Sequence, residues 1–151
     1  MNTAFNLTPR AKRLLALARA EAGRFSQDAV GAEHLLLAMI TLGEGVAVQV
    51  LENLGLDLQI VRLEVERQIQ SKGSQAVVGG IPHSPCSKKA LALAEEERKQ
   101  FNHTYLGTEH VLLGILRAGE TVPFRVLAGL GVEVEKTRSE VRRVLSSPDS
   151  V

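Results

Sequence analysis

The sequence predicts an all-α domain made of a duplicated four-helix unit, about eight helices in total, with pseudo-twofold symmetry. Three observations support this prediction. Residues 7–69 align with residues 83–145 at a constant offset of 76 positions without a gap, and 24 of the 63 aligned pairs are identical. Ala and Leu dominate the composition and only five residues are aromatic, which favours helices. No alternation of apolar and polar residues persists long enough to predict a strand.

The first helix of each unit begins at a hydroxyl residue followed by proline, Thr8-Pro9 in the first unit and Ser84-Pro85 in the second. Thr and Ser are good N-caps, and Pro suits the first helical position because it has no N–H to leave unpaired. An apolar face at helical spacing follows in the first unit, formed by Ala11, Leu14, Leu15 and Ala18.

The second helix of each unit begins near Glu33 and near Glu109, inside the repeated segments GAEHLLLAMI (31–40) and GTEHVLLGIL (107–116). It is apolar nearly all round, which predicts a buried central helix. Gly43 and Gly119 are expected to end it, since glycine accepts the left-handed backbone of a helix C-cap.

A short third helix and a fourth helix complete each unit. In the first unit the third helix is expected to end at Gly55, and the fourth to begin near Asp57, an N-cap candidate. The apolar residues at helical spacing are Val46, Val50, Leu51 and Leu54 in the third helix and Val61, Val65 and Ile69 in the fourth. We therefore expect a single domain over 1–151, with repeat one at about 7–70, a linker at about 71–82 and repeat two at about 83–146.

The composition argues against several functional classes. The 18 Lys and Arg balance 17 Asp and Glu, so no basic surface for nucleic acid is implied. The lone Cys86 excludes a disulfide framework within one chain and fits a reducing compartment. The chain shows neither a signal-peptide pattern nor an apolar stretch long enough to span a membrane. We therefore expect a cytoplasmic location, with no membrane partner.

The double GTEH-type segment, the TPR and SPC helix starts and the GEG…VL..LG segment resemble the N-terminal domain of the Clp ATPases, and the ClpC type in particular. The resemblance covers about residues 4–145. It implies an all-α module of eight helices that sits above an ATPase ring and its protease and docks adaptor proteins or protein substrates. In the ClpC type it also implies recognition of phosphorylated arginine on proteins marked for degradation, as part of the stress response.

The resemblance maps the family's phosphoarginine contacts onto Thr8 with Glu33 in one site and Ser84 with Glu109 in the other. Arg10 is expected to assist the phosphoryl group in the first site, where Cys86 replaces it in the second. A carboxylate can clamp a guanidinium, while free N–H groups at a helix start bind a phosphoryl group. The alternative for both glutamates is a favourable interaction with the helix dipole, worth about 0.3–1 kcal/mol.

Four further expectations concern single residues. His34 and His110 are expected to be buried, hydrogen-bonded structural histidines, and no residue is predicted to bind a metal ion. His83 and His103 are expected at the surface or in loops. Ala32, which replaces the Thr of the second segment, is expected to deprive the second helix of an N-cap. The run Glu95-Glu96-Glu97 is expected to form a solvated helix face.

Three functional hypotheses remain open. The first is a substrate- and adaptor-docking domain of a Clp unfoldase, and the second is a free-standing accessory protein of the same fold that regulates a Clp protease complex. The third, a small hydrolase using His and Glu, has no defensible spacing of nucleophile and base. The chain contains no G-x-x-x-x-G-K-[ST] phosphate-binding loop, so we expect no ATPase activity, no other enzymatic activity and no cofactor.

Overall fold

The computed structural model describes residues 6–25, 27–69, 82–119 and 121–146, which contain eight α-helices and no strand. The predicted linker at 71–82 lies outside these residues, apart from Pro82. The helices are α1 (Pro9–Arg24), α2 (Ala32–Leu42), α3 (Val46–Asn53), α4 (Leu58–Gln68), α5 (Pro85–Gln100), α6 (Thr108–Arg117), α7 (Val122–Gly129) and α8 (Val134–Ser146).

The helix bounds repeat with the offset read from the sequence. The bounds of α1 and α3, shifted by 76 residues, are those of α5 and α7, and α2 and α4 begin 76 residues before α6 and α8. The predicted ends are also confirmed. Gly43 caps α2 in the left-handed conformation, and Asp57 accepts backbone N–H groups at the start of α4. Gly119 has a positive φ and follows Ala118, the C-cap of α6. The all-α duplicated fold is therefore confirmed.

The core is centred on α2 and α6, whose side chains are almost all buried. Within each repeat the long first helix packs on the central one, α1 on α2 and α5 on α6. No helix in the described ranges is by itself long and apolar enough to span a membrane. The apolar pair α2 and α3 meets that test only together, across a bend of 89°.

The two repeats exchange contacts. Helix α3 packs mainly on α8 of the other repeat, and α4 packs on α7. The chain before α1 pairs with the chain before α6, since Thr8 N–H donates to Leu106 O at 3.0 Å. The chain before α5 pairs in the same way with the chain before α2, where Ser84 N–H donates to Val30 O at 2.8 Å. This crossed arrangement determines which residues share a site.

The expectation of a solvated face at Glu95–Glu97 is wrong for two of the three residues. Glu97 is fully buried and its carboxylate receives hydrogen bonds from Arg138 at 2.8 Å and Arg117 at 3.1 Å. Glu95 is buried against Arg98, and only Glu96 is well exposed. The burial of Glu97 could not be predicted from local sequence, because its arginine partners, on α6 and α8, lie far along the chain. The partner of Glu95 is the nearby Arg98 on the same helix.

Candidate functional site

The helix starts that the sequence predicts are built as expected. The Thr8 hydroxyl accepts a hydrogen bond from Ala11 N at 3.0 Å, and the Ser84 hydroxyl accepts one from Ser87 N at 3.1 Å. Each cap satisfies one N–H group of its helix start, and the proline that follows the cap has none. The N–H of the next residue, Arg10 in α1 and Cys86 in α5, is therefore the one left for a ligand at each start. A helix start of this kind favours negatively charged groups because the helix dipole is positive there.

Glycine, rather than Thr or Ala, caps the start of α2 and of α6. Gly31 N–H donates to His34 Nδ1 at 2.8 Å, and Gly107 N–H donates to His110 Nδ1 at 2.9 Å. Both histidines are buried, so the prediction of structural, hydrogen-bonded histidines is confirmed.

The side chain of Glu109 folds back over Gly107 and explains why glycine occurs there. A Cβ atom at residue 107 would lie 2.5 Å from Oε1 of Glu109, closer than real atoms approach. The same holds for Glu33 over Gly31, also at 2.5 Å. The glycines therefore leave space for a carboxylate held close to the backbone.

The expectation that Ala32 deprives α2 of an N-cap is wrong, because residue 32 is already inside the helix. Its counterpart Thr108 caps a different helix, since its Oγ1 accepts from Ala47 N at 3.2 Å in the first turn of α3. At the symmetric place the residue that follows Val122 is Pro123, which has no N–H to satisfy. Ala32 therefore leaves no donor unpaired at this position.

A cavity of about 460 Å³ lies where the starts of α1, α3 and α6 meet. The residues that line it are Thr8, Pro9, Arg10, Glu44, Val46, Tyr105, Thr108, Glu109 and Leu145. Thr8 and Arg10 thus share their pocket with Glu109 and not with Glu33. The pairing of site residues within each repeat is therefore wrong, because the crossed contacts bring the start of α1 to α6 and the start of α5 to α2.

Glu109 is the chemically most distinctive residue of the pocket. Its side chain is almost fully buried, yet its Oε2 atom has no hydrogen-bond partner among the described residues. Burial raises the pKa of the Glu109 carboxyl, and hydrogen bonds from its own backbone and from Tyr105 only partly offset this effect. Burial, together with the charge of Glu109 and the hydrogen bond to it, raises the pKa of Tyr105 to about 12. An unpartnered buried carboxylate oxygen beside a cavity suits a ligand with N–H donors.

Arg10 supplies a cation at the same pocket, but it is already engaged. Its guanidinium lies 3.3 Å from Oε1 of Glu44, and Arg13 lies 3.5 Å from Oε2 of the same carboxylate. The pocket therefore combines free helix-start donors, one arginine and two carboxylates of unlike exposure.

The equivalent place in the other half is chemically simpler. Ser84 caps α5 beside the chain that leads into α2, and Cys86 is exposed where the first half has Arg10. Glu33 is only partly buried, and alanines at positions 29 and 32 replace Tyr105 and Thr108. This half lacks the arginine, the tyrosine and the threonine of the first pocket.

The side chains of His103, Glu109 and His110 place three possible metal-ligand atoms within 4.8 Å of one another. The hydrogen bonds do not suit a metal ion there. Because His110 Nδ1 accepts from Gly107, its ring proton must be on Nε2, which donates to His103 Nδ1 at 2.9 Å. His103 lies in a loop, as expected, but it is half-buried and serves as the acceptor for the capping histidine. His83, also outside the helices, bonds the Ser87 hydroxyl at 2.7 Å.

Sequence reasoning missed five of the residues that line the pocket: Tyr105, Thr108, Glu44, Val46 and Leu145. Tyr105 is the only tyrosine of the chain and stands two residues before the repeated glycine, which could have drawn attention to it. Thr108 directly precedes Glu109 in the repeated segment, so it could also have been found. Glu44, Val46 and Leu145 carry no local signal that links them to Glu109, because only the fold brings them to the start of α6.

Comparison with known proteins gives consistent findings. The family model described as the Clp repeat (R) N-terminal domain matches residues 6–130. The chain is 41% identical over 143 residues to the chaperone protein ClpB of Oceanobacillus iheyensis, covering 95% of the chain and 17% of that protein. It is 43% identical over 145 residues to the chloroplastic chaperone protein ClpC of Pisum sativum, covering 95% and 16%. It is 41% identical over 143 residues to the negative regulator of genetic competence ClpC/MecB of Bacillus subtilis, covering 95% and 17%.

Solved structures agree with the fold. The N-terminal domain of ClpD from Arabidopsis thaliana is similar with a TM-score of 0.70 and 22% identity, covering 94% of this chain and 96% of that one. The N-domain of ClpV from Vibrio cholerae is similar with a TM-score of 0.80 and 19% identity, covering 97% and 89%. The chain thus spans only about a sixth of the length of the three relatives named, but nearly the whole of these isolated domains.

Proposed function

Because this chain belongs to the Clp repeat N-terminal domain family, we propose that it docks adaptor proteins and protein substrates for a ClpC-type ATP-dependent unfoldase in the cytoplasm. We further propose that it recognises phosphorylated arginine on those substrates. The unfolding activity would reside in domains outside these residues, since the relatives are about six times as long. Relatives named ClpB and ClpC match at nearly the same identity, so the ClpC type rests on the ligand pocket.

One observation supports the ligand most directly, the unpartnered Oε2 atom of Glu109 beside the cavity that Thr8 and Arg10 also line. In phosphoarginine the phosphoryl group is bonded to a terminal nitrogen of the guanidinium, so a site for it needs a carboxylate and N–H donors for the phosphoryl group a few ångströms apart. Glu109 offers the carboxylate, and the N-terminus of α1 offers the N–H of Arg10 together with the positive end of the helix dipole. The low polarity around Glu109 strengthens a bond to a cationic donor.

The test is titration calorimetry of the 151-residue chain with phosphoarginine, arginine and inorganic phosphate. We expect phosphoarginine to bind more tightly than either control, because only it engages both halves of the pocket. Glu109→Ala should weaken it by roughly ten- to a hundredfold, as for a hydrogen bond between charged groups. Glu96→Ala, which removes an exposed carboxylate from α5, is the matched control and should bind like the parent. Equal binding of arginine, phosphate and phosphoarginine would refute the proposal.

A second, weaker phosphoarginine site is proposed at Ser84 and Glu33. It retains the hydroxyl cap and the carboxylate but has Cys86 where the first site has Arg10. In the calorimetry, the Glu109→Ala variant should keep this residual binding, and adding Glu33→Ala should abolish it. A double variant that binds as the parent does would assign both glutamates to the helix dipoles alone.

A further inference from the structure

The loop between α2 and α3 holds Glu44 at the edge of the first pocket. Gly43 and Gly45 flank it, both with positive φ, 71° and 110°, a conformation that other residues rarely adopt. A Cβ atom at residue 45 would lie 3.1 Å from Thr108 Oγ1 and 3.3 Å from Arg10 Cδ. The bare backbone of Gly45 therefore lets the stem of Arg10 pass close to the loop, and this brings its guanidinium to the Glu44 carboxylate.

Glu44 pairs with Arg10 at 3.3 Å and with Arg13 at 3.5 Å, and all three side chains are about half exposed or more. Arg10 is the only cationic side chain among the described residues that line the pocket. Any anion that enters must therefore share or displace the contact that Glu44 already makes. An exposed ion pair is weak, so an anion can displace the Glu44 carboxylate from Arg10. Because Glu44 belongs to the same chain, however, its carboxylate always competes at a high effective concentration.

We propose that Glu44 is a specificity-determining residue that acts as an internal anion on Arg10 and excludes ordinary carboxylates while admitting phosphoryl groups. This inference rests on the proposed function and names what sets the selectivity of the same site. An incoming Asp or Glu side chain has the same charge and the same two oxygens as Glu44, so it gains nothing by replacing it. A phosphoryl group carries up to about two negative charges and three acceptor oxygens, and it also reaches the N–H donors of the helix starts.

The consequence is discrimination between a phosphorylated protein and a merely acidic one. Acidic surface segments are common, and without Glu44 the helix starts and Arg10 would attract them. Glu109 selects the cationic part of the ligand, and Glu44 selects against carboxylates at the anionic part.

The experiment follows the backbone amide signals of Thr8, Arg10 and Thr108 by NMR while acetate or inorganic phosphate is added to the full 151-residue chain. Three proteins are compared: the parent, Glu44→Gln and Glu96→Gln. Glu96 is the matched control, because its exposed carboxylate pairs with Arg117 at 3.2 Å and its removal changes the net charge equally. We expect Glu44→Gln to bind phosphate about two- to fivefold more tightly and to bind acetate at concentrations that leave the parent unchanged.

The ratio of phosphate affinity to acetate affinity should therefore be smaller in Glu44→Gln than in the parent, and unchanged in Glu96→Gln. A Glu44→Asp variant keeps the charge and should retain most of the parent's preference. The inference is overturned if Glu44→Gln behaves like Glu96→Gln with both anions, or if neither the parent nor Glu44→Gln binds phosphate at these amides. Failure of the proposed function would appear in the calorimetry instead, where phosphoarginine would bind no better than phosphate. In that case Glu44→Gln would still alter the NMR response to acetate.

Discussion

At the scale of single residues, Glu109 is a carboxyl group held in a buried position that disfavours its charge. Burial raises the pKa of its carboxyl, so the folded state disfavours the ionised form relative to the unfolded chain. We expect Glu109→Gln to melt at the same or a higher temperature than the parent at neutral pH, although it loses phosphoarginine binding. If Glu109 served only the helix dipole, the substitution would instead lower stability by about 0.3–1 kcal/mol. Scanning calorimetry with and without ligand separates the two roles.

The pH dependence of that comparison has a definite sign. A carboxyl group whose folded pKa is raised contributes stability below its unfolded pKa and loses it as pH rises through the folded pKa. The parent should therefore gain stability relative to Glu109→Gln as the pH falls from neutral towards the unfolded pKa, near 4.5. Equal differences in melting temperature at pH 7 and pH 5 would contradict the burial of an ionisable Glu109.

Gly107 tests the position of the same carboxylate without removing it. Its φ of −109° is accessible to alanine, so Gly107→Ala introduces no backbone strain, but the new Cβ would collide with Glu109 Oε1. The carboxylate must move, and we expect phosphoarginine affinity to fall about tenfold or more while helicity by circular dichroism is unchanged. Gly31→Ala should affect the first pocket little, because Glu33 belongs to the other half.

At the scale of the helices, the two repeats avoid an unpaired N–H at the starts of α3 and α7 in different ways. Thr108 satisfies Ala47 N–H at the start of α3, whereas the residue of the other repeat that corresponds to Ala47 is Pro123, which has no N–H, and Ala32 corresponds to Thr108. We expect Thr108→Val to cost about 1–2 kcal/mol in urea unfolding, because a buried donor loses its partner. Ala32→Thr should not stabilise, since its buried hydroxyl would find no such donor.

A double-mutant cycle makes this comparison decisive. Ala32→Thr combined with Pro123→Ala restores the threonine and the N–H that the other repeat has. We expect the pair to be more stable than the sum of the two single changes by about 0.5 kcal/mol or more. Additive effects on the free energy of unfolding would show that residues 32 and 123 are not energetically coupled.

Sequence alone could predict the helices but not how they exchange partners. Apolar spacing, the Thr8 and Ser84 caps and the terminal glycines are local signals, and each appears in the structure at its expected place. The sequence of a duplicated unit is compatible with sites formed within each repeat and with sites formed between the two repeats. The candidate residues are the same in both cases, and only their pairing differs. The pairing of Thr8 with Glu109, and with it Tyr105 and Glu44, is decided only by tertiary packing.

At the scale of the whole molecule, Glu97 joins three helices. It lies on α5 and its buried carboxylate binds Arg117 on α6 and Arg138 on α8. Burial alone would raise the pKa of Glu97, but the hydrogen bonds and charges of these arginines lower it. We expect Glu97→Gln to cost about 3–5 kcal/mol at pH 7 in urea unfolding, because two guanidinium groups lose their common partner.

The exposed Glu135, which also pairs with Arg138, is the control, and its change to Gln should cost under about 1 kcal/mol. Because the folded pKa of Glu97 is lowered, its stabilisation is present above the unfolded pKa, near 4.5, and is lost as pH falls through the folded value. The difference in stability between the parent and Glu97→Gln should therefore shrink progressively as the pH falls below 4.5. A constant difference down to pH 3 would mean that packing, not charge, accounts for the loss.

The exchange between repeats also predicts that neither half folds alone. Residues 1–70 would lack α8 against α3, α7 against α4 and the partner of the chain before α1, so their apolar faces would meet water. We expect each fragment, 1–70 and 83–151, to show little cooperative unfolding by circular dichroism, because a short helical segment gains most of its stability from tertiary packing. Mixed at equal concentration, the fragments should recover helicity in a concentration-dependent way, since all the cross-repeat contacts become available again. A fragment that melts cooperatively by itself would show that each repeat is an autonomous unit, and the pocket at Thr8 and Glu109 would then be an interface between two domains.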